Sequence, residues 1–503
     1  MNLTALRRLL LSSSVAMSGS LVMVAVAGYA FLSLAGQLPD SRDKAAMASF
    51  YVVVNTLGQG VFIGLEQEVS RSVSHATATG GRLGPVVRRA FRQAGLLLAV
   101  CLLLIGAISP LLVAGPLHGA WPLIGAVILG TCTATLSYCA RGLLGGTQRF
   151  GGYALTLLAE GGTRLLPCLA LAALGAGSML AYSYIYAVGL LFAASVGFWQ
   201  LRPFLRAALG EAGDRVDAEA ASRVADGGLN GRLGQADLGA GVVDADGVRA
   251  DTVHADTVRA QAAHSEAAPA APDPGHRWIS AGLLFLVGAG LLTQLVANLP
   301  ALAASARLSH ATTTAAAFVQ AASLSRIPVL LTLPVTALLL PRLTSAAARG
   351  AIHQVRTTVL VGVAAMLGLG AATAAGLAVL GPWVLSTFFN AHGISAWSLA
   401  LMGIGTGGMM AVSVLQPALV GLGRQRLVPI AWGAGAAVMT AAVVWPSDPV
   451  AAAVAGSLIG PAVVAAAMGV GVVRGVSAPV VPTDSAANPT DSPAVSPTLA
   501  VDA

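Results

Sequence analysis

Uncharged hydrophobic stretches of about twenty residues recur along almost the whole chain, separated by short polar joints. A helix rises 1.5 Å per residue, so each stretch is long enough to cross a hydrocarbon core roughly 30 Å thick. Leu96–Ala114, Ile279–Leu299 and Val450–Val473 contain no charged residue at all. Lipid offers the backbone no hydrogen-bond partners, so repeated apolar stretches of this length imply repeated helices. The sequence predicts an all-α integral membrane protein.

Composition agrees. The 503 residues are 56% hydrophobic and 10% charged, against about 25% charged in an average soluble domain. The net charge of +7 has a topological explanation, because basic residues collect in cytoplasmic loops. No basic patch interleaved with aromatics points to nucleic acid as a partner. Cys101, Cys132, Cys139 and Cys168 all fall in apolar stretches without metal-ligand spacing, and read as small buried hydrophobes.

Hydropathy places about twelve helices, over 11–35, 46–65, 94–115, 121–141, 152–175, 179–199, 279–299, 313–341, 357–380, 396–419, 427–445 and 450–473. Arg7 and Arg8 precede an apolar run too long for a signal-peptide core, so the first helix is expected to stay as an anchor. In this map only Arg42, Lys44 and Arg307 lie in joints on the side opposite the N-terminus. Arg164 and Arg326 lie inside helices, and the other basic residues share the side of the N-terminus. The asymmetry predicts a multi-pass protein of the cytoplasmic membrane with both termini in the cytoplasm.

Two hydrophilic stretches interrupt the pattern. Residues 204–276 have no aromatic residue between Phe204 and Trp278, and carry the pentads Ala245–Arg249, Ala250–His254 and Ala255–Arg259. A five-residue repeat of this composition cannot build a core, so a disordered cytoplasmic linker is expected. Residues 475–503, with five prolines among Ser, Thr and Ala, read as a disordered tail. The linker divides the membrane region into six-helix halves, 1–203 and 277–474. The end of helix four, Arg141-Gly-Leu-Leu-Gly-Gly-Thr-Gln-Arg149, is echoed by the end of helix ten, Leu419-Val-Gly-Leu-Gly-Arg-Gln-Arg426. Halves of six helices share one orientation, so a real echo means a parallel repeat.

These residues also carry a resemblance. The stretch Arg141–Phe150 with Tyr153, the end of helix two at Gly64–Arg71, and Ser325-Arg-Ile-Pro328 with Leu340-Pro-Arg-Leu343 are similar to polysaccharide flippases. Those proteins belong to the multidrug, oligosaccharidyl-lipid and polysaccharide exporter superfamily. The resemblance implies two pseudo-symmetric six-helix bundles around a central cavity. It implies a polyprenyl-linked glycan as substrate, and polysaccharide-assembly proteins as partners beside the lipid bilayer itself. The long linker departs from the pattern, since the halves of such proteins are joined more tightly.

Ionisable side chains at membrane depth are costly and mark candidate sites. Arg164 stands near the middle of helix five, with Glu160 one turn before it on the same face. The pair reads either as a cavity site or as a structural bridge. Arg326 stands near the middle of helix eight, followed by Pro328 and Pro334, which predict a bend beside it. An arginine fork suits the pyrophosphate of a lipid-linked sugar. Asn55, Gln294, Asn298 and Gln320 are the softer candidates, able to bind sugar hydroxyls or to join helices. Glu66 and Glu68 close helix two beside Arg71 and read as a solvated salt bridge, while Arg88, Arg89 and Arg92 are placed to meet headgroups.

The chain has no Walker A sequence, and its only lysine is Lys44. It has no zinc-protease, Cys-x-x-Cys or nucleophile-elbow motif. No enzymatic activity, cofactor or metal is therefore expected. Two buried arginines against one buried glutamate favour an anionic substrate. The expected function is an alternating-access flippase for a polyprenyl-pyrophosphate oligosaccharide. The alternatives are a cation-coupled multidrug exporter, which would want buried carboxylates, and a membrane glycosyltransferase or polymerase, which would want a large outer loop. A scaffold docking partners through the linker is a third.

Overall fold

The structure, a computed structural model, describes residues 13–229, 281–332, 339, 343, 346, 349, 351–424, 426–445 and 448–476. Among the described residues the main helices follow one another in this order: α1 Ser13–Gly36, α2 Ser41–Ala78, α3 Leu83–Ala114, α4 Pro122–Gly146, α5 Phe150–Ala173 and α6 Met179–Leu229. After the insertion come α7 Ala281–Arg307, α8 Thr312–Leu324, α9 Ile352–Phe389, α10 Ala396–Gly421, α11 Leu427–Val444 and α12 Pro449–Val476. Among the described residues there is no strand, and eleven of the helices are long and apolar enough to span a membrane.

Helix ends follow local chemistry. The Asp40 carboxylate caps α2 by accepting from the Arg42 amide, and the Ser395 hydroxyl caps α10 by accepting from the Ser398 amide. Pro122 and Pro449 occupy first turns, where their missing N–H is not needed. A π-turn over Gly58–Phe62 interrupts α2.

The exception among the spans is α8. It was expected over 313–341 but ends at Leu324. Ser325 and Arg326 form a turn, and a 3₁₀ segment follows over Ile327–Leu331. Pro328 cannot donate the hydrogen bond that would continue the helix, which accounts for the break. Pro334 lies outside the described residues. Helix α6 runs to Leu229, well into the stretch expected to be linker, while 230–276 and the tail from 477 lie outside the described residues.

Loop contacts establish how the helices alternate. At one end, the far face, Arg42 Nε donates to the His118 carbonyl, Ser41 and Thr312 share a hydrogen bond of 2.8 Å, and Arg307 donates to the Val443 carbonyl at 2.8 Å. At the other end, the near face, Ser74 donates to the Gly146 carbonyl, Arg149 to that of Gln200 and Arg424 to that of Arg474.

The two halves repeat one packing scheme. In the first half α1 packs on α5, α3 on α4, and α6 on both α4 and α5; in the second α7 packs on α11, α9 on α10, and α12 on both α10 and α11. The echo between α4 and α10 is structural, although its register is shifted from the Gln-Arg pairs. The Arg149 amide donates to the Leu144 carbonyl and the Arg424 amide to the Leu419 carbonyl, each across a residue with positive φ, Gln148 or Gly423. Each arginine then reaches a carbonyl on the last helix of its half.

Close approach in the first half depends on glycine. A Cβ on Gly142 would lie 2.8 Å from Val69 Cβ, and one on Gly146 would lie 2.6 Å from Val73 Cβ and 2.9 Å from the Ser70 carbonyl oxygen. The glycines of the Arg141–Arg149 motif therefore let α4 lie directly on α2.

Candidate functional site

The first half contains a sealed charged centre. Glu160 on α5 divides its carboxylate between two arginines, with Oε2 2.5 Å from Arg141 Nη2 and Oε1 2.5 Å from Arg164 Nη1. Arg141 also donates to the Thr156 hydroxyl at 3.1 Å. Arg164 donates from Nε to the Tyr186 carbonyl, and its guanidinium carbon lies 3.8 Å from the centre of the Tyr186 ring. Gly189 makes room for this, since a Cβ there would sit 2.5 Å from Arg164 Cγ. The side chains of all three ionised residues are at most 6% exposed. Desolvation of this severity is tolerable only because each charge is paired and further hydrogen-bonded.

Sequence reasoning found Glu160 and Arg164 through their helical spacing but placed Arg141 at a loop exit. Arg141 is still inside α4, a full turn before Gly146, and points into the bundle. Glu66 also differs from expectation. Glu68 is the partner of Arg71, at 2.9 Å, whereas Glu66 accepts a hydrogen bond of 2.6 Å from the Tyr153 hydroxyl on α5. Among the described residues the second half shows no such charged centre. The register that pairs Arg149 with Arg424 sets Gln416 opposite Arg141 and Trp432 opposite Leu157, and there the Trp432 indole donates to the Gln416 amide oxygen at 3.2 Å. Gly435 and Met439 stand where Glu160 and Arg164 would be.

Arg326 is different in kind. It lies in the break after α8, fourteen residues from the start of that helix, or about 20 Å along it. Its Nη1 donates to the Asn298 amide oxygen; Asn298 Nδ2 donates to Gln294 Oε1 at 2.8 Å, and Gln294 Nε2 to Gln59 Oε1 at 3.2 Å. This chain of side chains starts in the break, follows one face of α7 and ends in the α2 π-turn, so it joins the two halves. π-turns of this kind are common where a helix serves function. The α2–α7 crossing beside it is tight, with a Cβ on Gly290 placed 2.4 Å from the Gly60 carbonyl oxygen.

The remaining candidates surround these centres. Asn55 donates to the Tyr51 carbonyl at 2.7 Å and to the Tyr186 hydroxyl at 3.1 Å. Gln320 is buried and donates to the Leu32 carbonyl on α1, so it ties helices together. Tyr51 and Tyr186 meet edge to face, ring centres 5.6 Å apart, and Tyr51 lies in the field of both Arg164 and Arg326. Tyr29 donates to the Ser323 carbonyl beside the break. A tyrosine-lined seam thus separates the buried arginine of the first half from the partly exposed arginine of the second.

On the far face a second set of contacts closes the seam. Ser49 of α2 and His118 of the α3–α4 joint both bind the Ser305 hydroxyl of α7, at 2.8 and 3.0 Å. His118 is buried, and its Nδ1 has no hydrogen-bond partner among the described residues. Burial and the neighbouring Arg42 charge push its pKa below the ordinary 6.5.

By sequence, no family model and no curated protein matches the chain. Solved structures do match over nearly its whole length. An inward-facing multidrug-resistance MATE transporter of the MOP superfamily superposes with a TM-score of 0.60 at 12% identity, over 90% of this chain and 93% of that one. The lipid II flippase MurJ, in an inward closed conformation, gives 0.54 at 10% identity over 92% and 88%. An outward-facing MATE transporter of the same superfamily gives 0.52 at 13% identity over 91% and 94%. The chain therefore shares the all-α fold of these transporters, with its two halves packed on one repeated scheme.

Proposed function

We propose that the chain is an alternating-access transporter that moves a polyprenyl-pyrophosphate oligosaccharide across the cytoplasmic membrane for cell-surface polysaccharide assembly. The observation that carries this reading is Arg326. Among the described residues it has no carboxylate in ion-pairing distance, and its hydrogen-bond partner is the neutral Asn298. A cation held at mid-membrane depth by neutral groups attracts an anion, and its fork matches a phosphate. Asn298, Gln294 and Gln59 offer amides that suit sugar hydroxyls, while Arg164 and Glu160 hold the first bundle rigid behind the tyrosine seam.

In this reading the near face is cytoplasmic, as the basic joints require, and the far-face contacts of Ser49, His118 and Ser305 close the cavity to the outside. Substrate enters from the near face, and separation of α2 from α7 at the far face releases it. The likeness to MATE transporters gives a second reading, a cation-coupled exporter. Glu66 favours it, as a carboxylate joined to a tyrosine instead of an arginine.

The two readings separate in vesicles reconstituted with purified protein. A flippase exposes the sugar of a fluorescent polyprenyl-pyrophosphate disaccharide to an external glycosidase beyond the half initially accessible. An exporter instead accumulates a cationic dye when a proton or sodium gradient is imposed. Dye transport with no flipping would overturn the proposal.

A further inference from the structure

Helix α3 is too long for the membrane core alone. Its 32 residues extend about 48 Å, against roughly 30 Å of hydrocarbon, so its first turns stand in the headgroup layer. One exposed stripe runs down it through Arg88, Arg92, Gly95, Ala99 and Leu103, which is 74% exposed. The change from arginine to leucine along one stripe marks the change from headgroup to acyl chain.

Helix α6 packs against α3 and carries the matching stripe in the opposite direction. Leu191, Ser195, Trp199, Arg202 and Arg206 are all exposed and spaced at three or four residues. The two stripes are tied together by Phe91 and Phe198, whose rings stack with centres 6.0 Å apart and 25° between planes. Arg88 is one turn from Phe91 toward the near face, and Arg202 is one turn from Phe198 toward the same face. Arg88 and Arg202 therefore stand about one turn nearer the near face than this aromatic pair, one on each helix, with Arg92 and Arg206 on the same stripes. Among the described residues none of the four arginines has an ion pair or side-chain hydrogen bond. Trp199 stands beside the pair, 62% exposed, at the level where an amphipathic ring sits between water and lipid.

We propose that this end of the α3–α6 groove is a binding site for an anionic phospholipid. Its phosphate is held between Arg88 and Arg202, with Arg92 and Arg206 adding to the field, and its acyl chain descends over Phe91, Phe198 and Trp199. Charge complementarity selects the occupant: a phosphodiester without a compensating amine keeps its full negative charge, which a zwitterionic headgroup does not. The site is separate from Arg326 and does not depend on what is transported.

Native mass spectrometry of the purified full-length protein, titrated with phosphatidylglycerol or phosphatidylcholine in detergent, tests the site. Tight retention of phosphatidylglycerol over phosphatidylcholine is expected, with affinity falling about fivefold for each arginine removed in Arg88→Gln and Arg202→Gln. Lysine at both positions should restore most of it. These side chains are exposed, so an unchanged melting temperature serves as the folding control. The control pair Arg349→Gln and Arg356→Gln, exposed on and before α9, should leave retention unchanged. Equal retention of the two lipids, no loss in the Arg88/Arg202 variant, or an equal loss in the Arg349/Arg356 variant would overturn the proposal.

Discussion

Arg326 donates to the amide oxygen of Asn298, so this cation, which has no carboxylate partner among the described residues, is held by a neutral group whose other arm starts a hydrogen-bonded chain to the first half. An anion that takes up Arg326 competes with Asn298 and loosens that chain. Asn298→Asp should keep the geometry while neutralising the cation. The expected outcome is normal membrane protein with anionic-lipid transport reduced at least about tenfold, given the strength of a charged hydrogen bond. Initial flipping rates in vesicles measure it.

Glu160 serves two arginines, and its removal should be felt as lost stability. Glu160→Gln leaves Arg141 and Arg164 buried without a counter-charge, which costs about 3–5 kcal/mol in comparable buried pairs. The expected result is a lowered melting temperature and reduced membrane accumulation. Arg141→Met together with Glu160→Leu and Arg164→Met should recover much of the stability, because an apolar replacement leaves no charge unpaired.

The far-face contacts should weaken in acid. Burial and Arg42 lower the pKa of His118 in the closed arrangement, so the neutral ring is the form that fits. Facing it are Ser305 from α7 and Arg42 from α2, with Asp40 and Asp43 close to Arg42. A group whose pKa is depressed on closing contributes stability that is complete above its open-state value, near 6.5, and is lost as pH falls below it. Labelling of a cysteine at Ser49 from the far face should therefore accelerate between pH 7.5 and 5.5. The additional change His118→Gln should flatten that dependence.

Gly146 lies where α4 meets α2, and the atoms closest to a new Cβ include backbone. Gly146→Val should destabilise the first bundle by about 1–3 kcal/mol through overpacking. Gly151, whose Cβ would meet nothing within 4 Å, should accept alanine without loss. Thermal unfolding of the two variants in detergent makes the comparison.

The helix count was legible because span length is a local property, fixed by the thickness of the hydrocarbon. A bend beside Arg326 was legible because Pro328 acts on its own helix, but the sequence carried that helix on to 341 and did not place its end at Leu324. Glu160 and Arg164 could be paired from their four-residue spacing. Arg141 could not be added to them, because its partner lies across a helix hairpin and hydropathy does not distinguish an arginine leaving the bundle from one turned into it. Gln59 was missed because its role depends on the π-turn and on α7, which is more than two hundred residues away. The Gln-Arg echo pointed to the right two places but the wrong register. Backbone hydrogen bonding at Gln148 and Gly423 sets the correspondence, and glycine-rich sequence leaves that open.

The central claim is that Arg326 recognises the pyrophosphate of a lipid-linked substrate. Its most direct measurement is equilibrium binding of three lipids of equal chain length, a polyprenyl pyrophosphate, the monophosphate and the free polyprenol, to wild type and Arg326→Ala. The account predicts affinity in that order for wild type, near-equal weak binding for Arg326→Ala, and partial recovery in Arg326→Lys, which keeps the charge but not the fork. Equal binding of all three lipids by wild type, or a pyrophosphate preference that survives in Arg326→Ala, would contradict it.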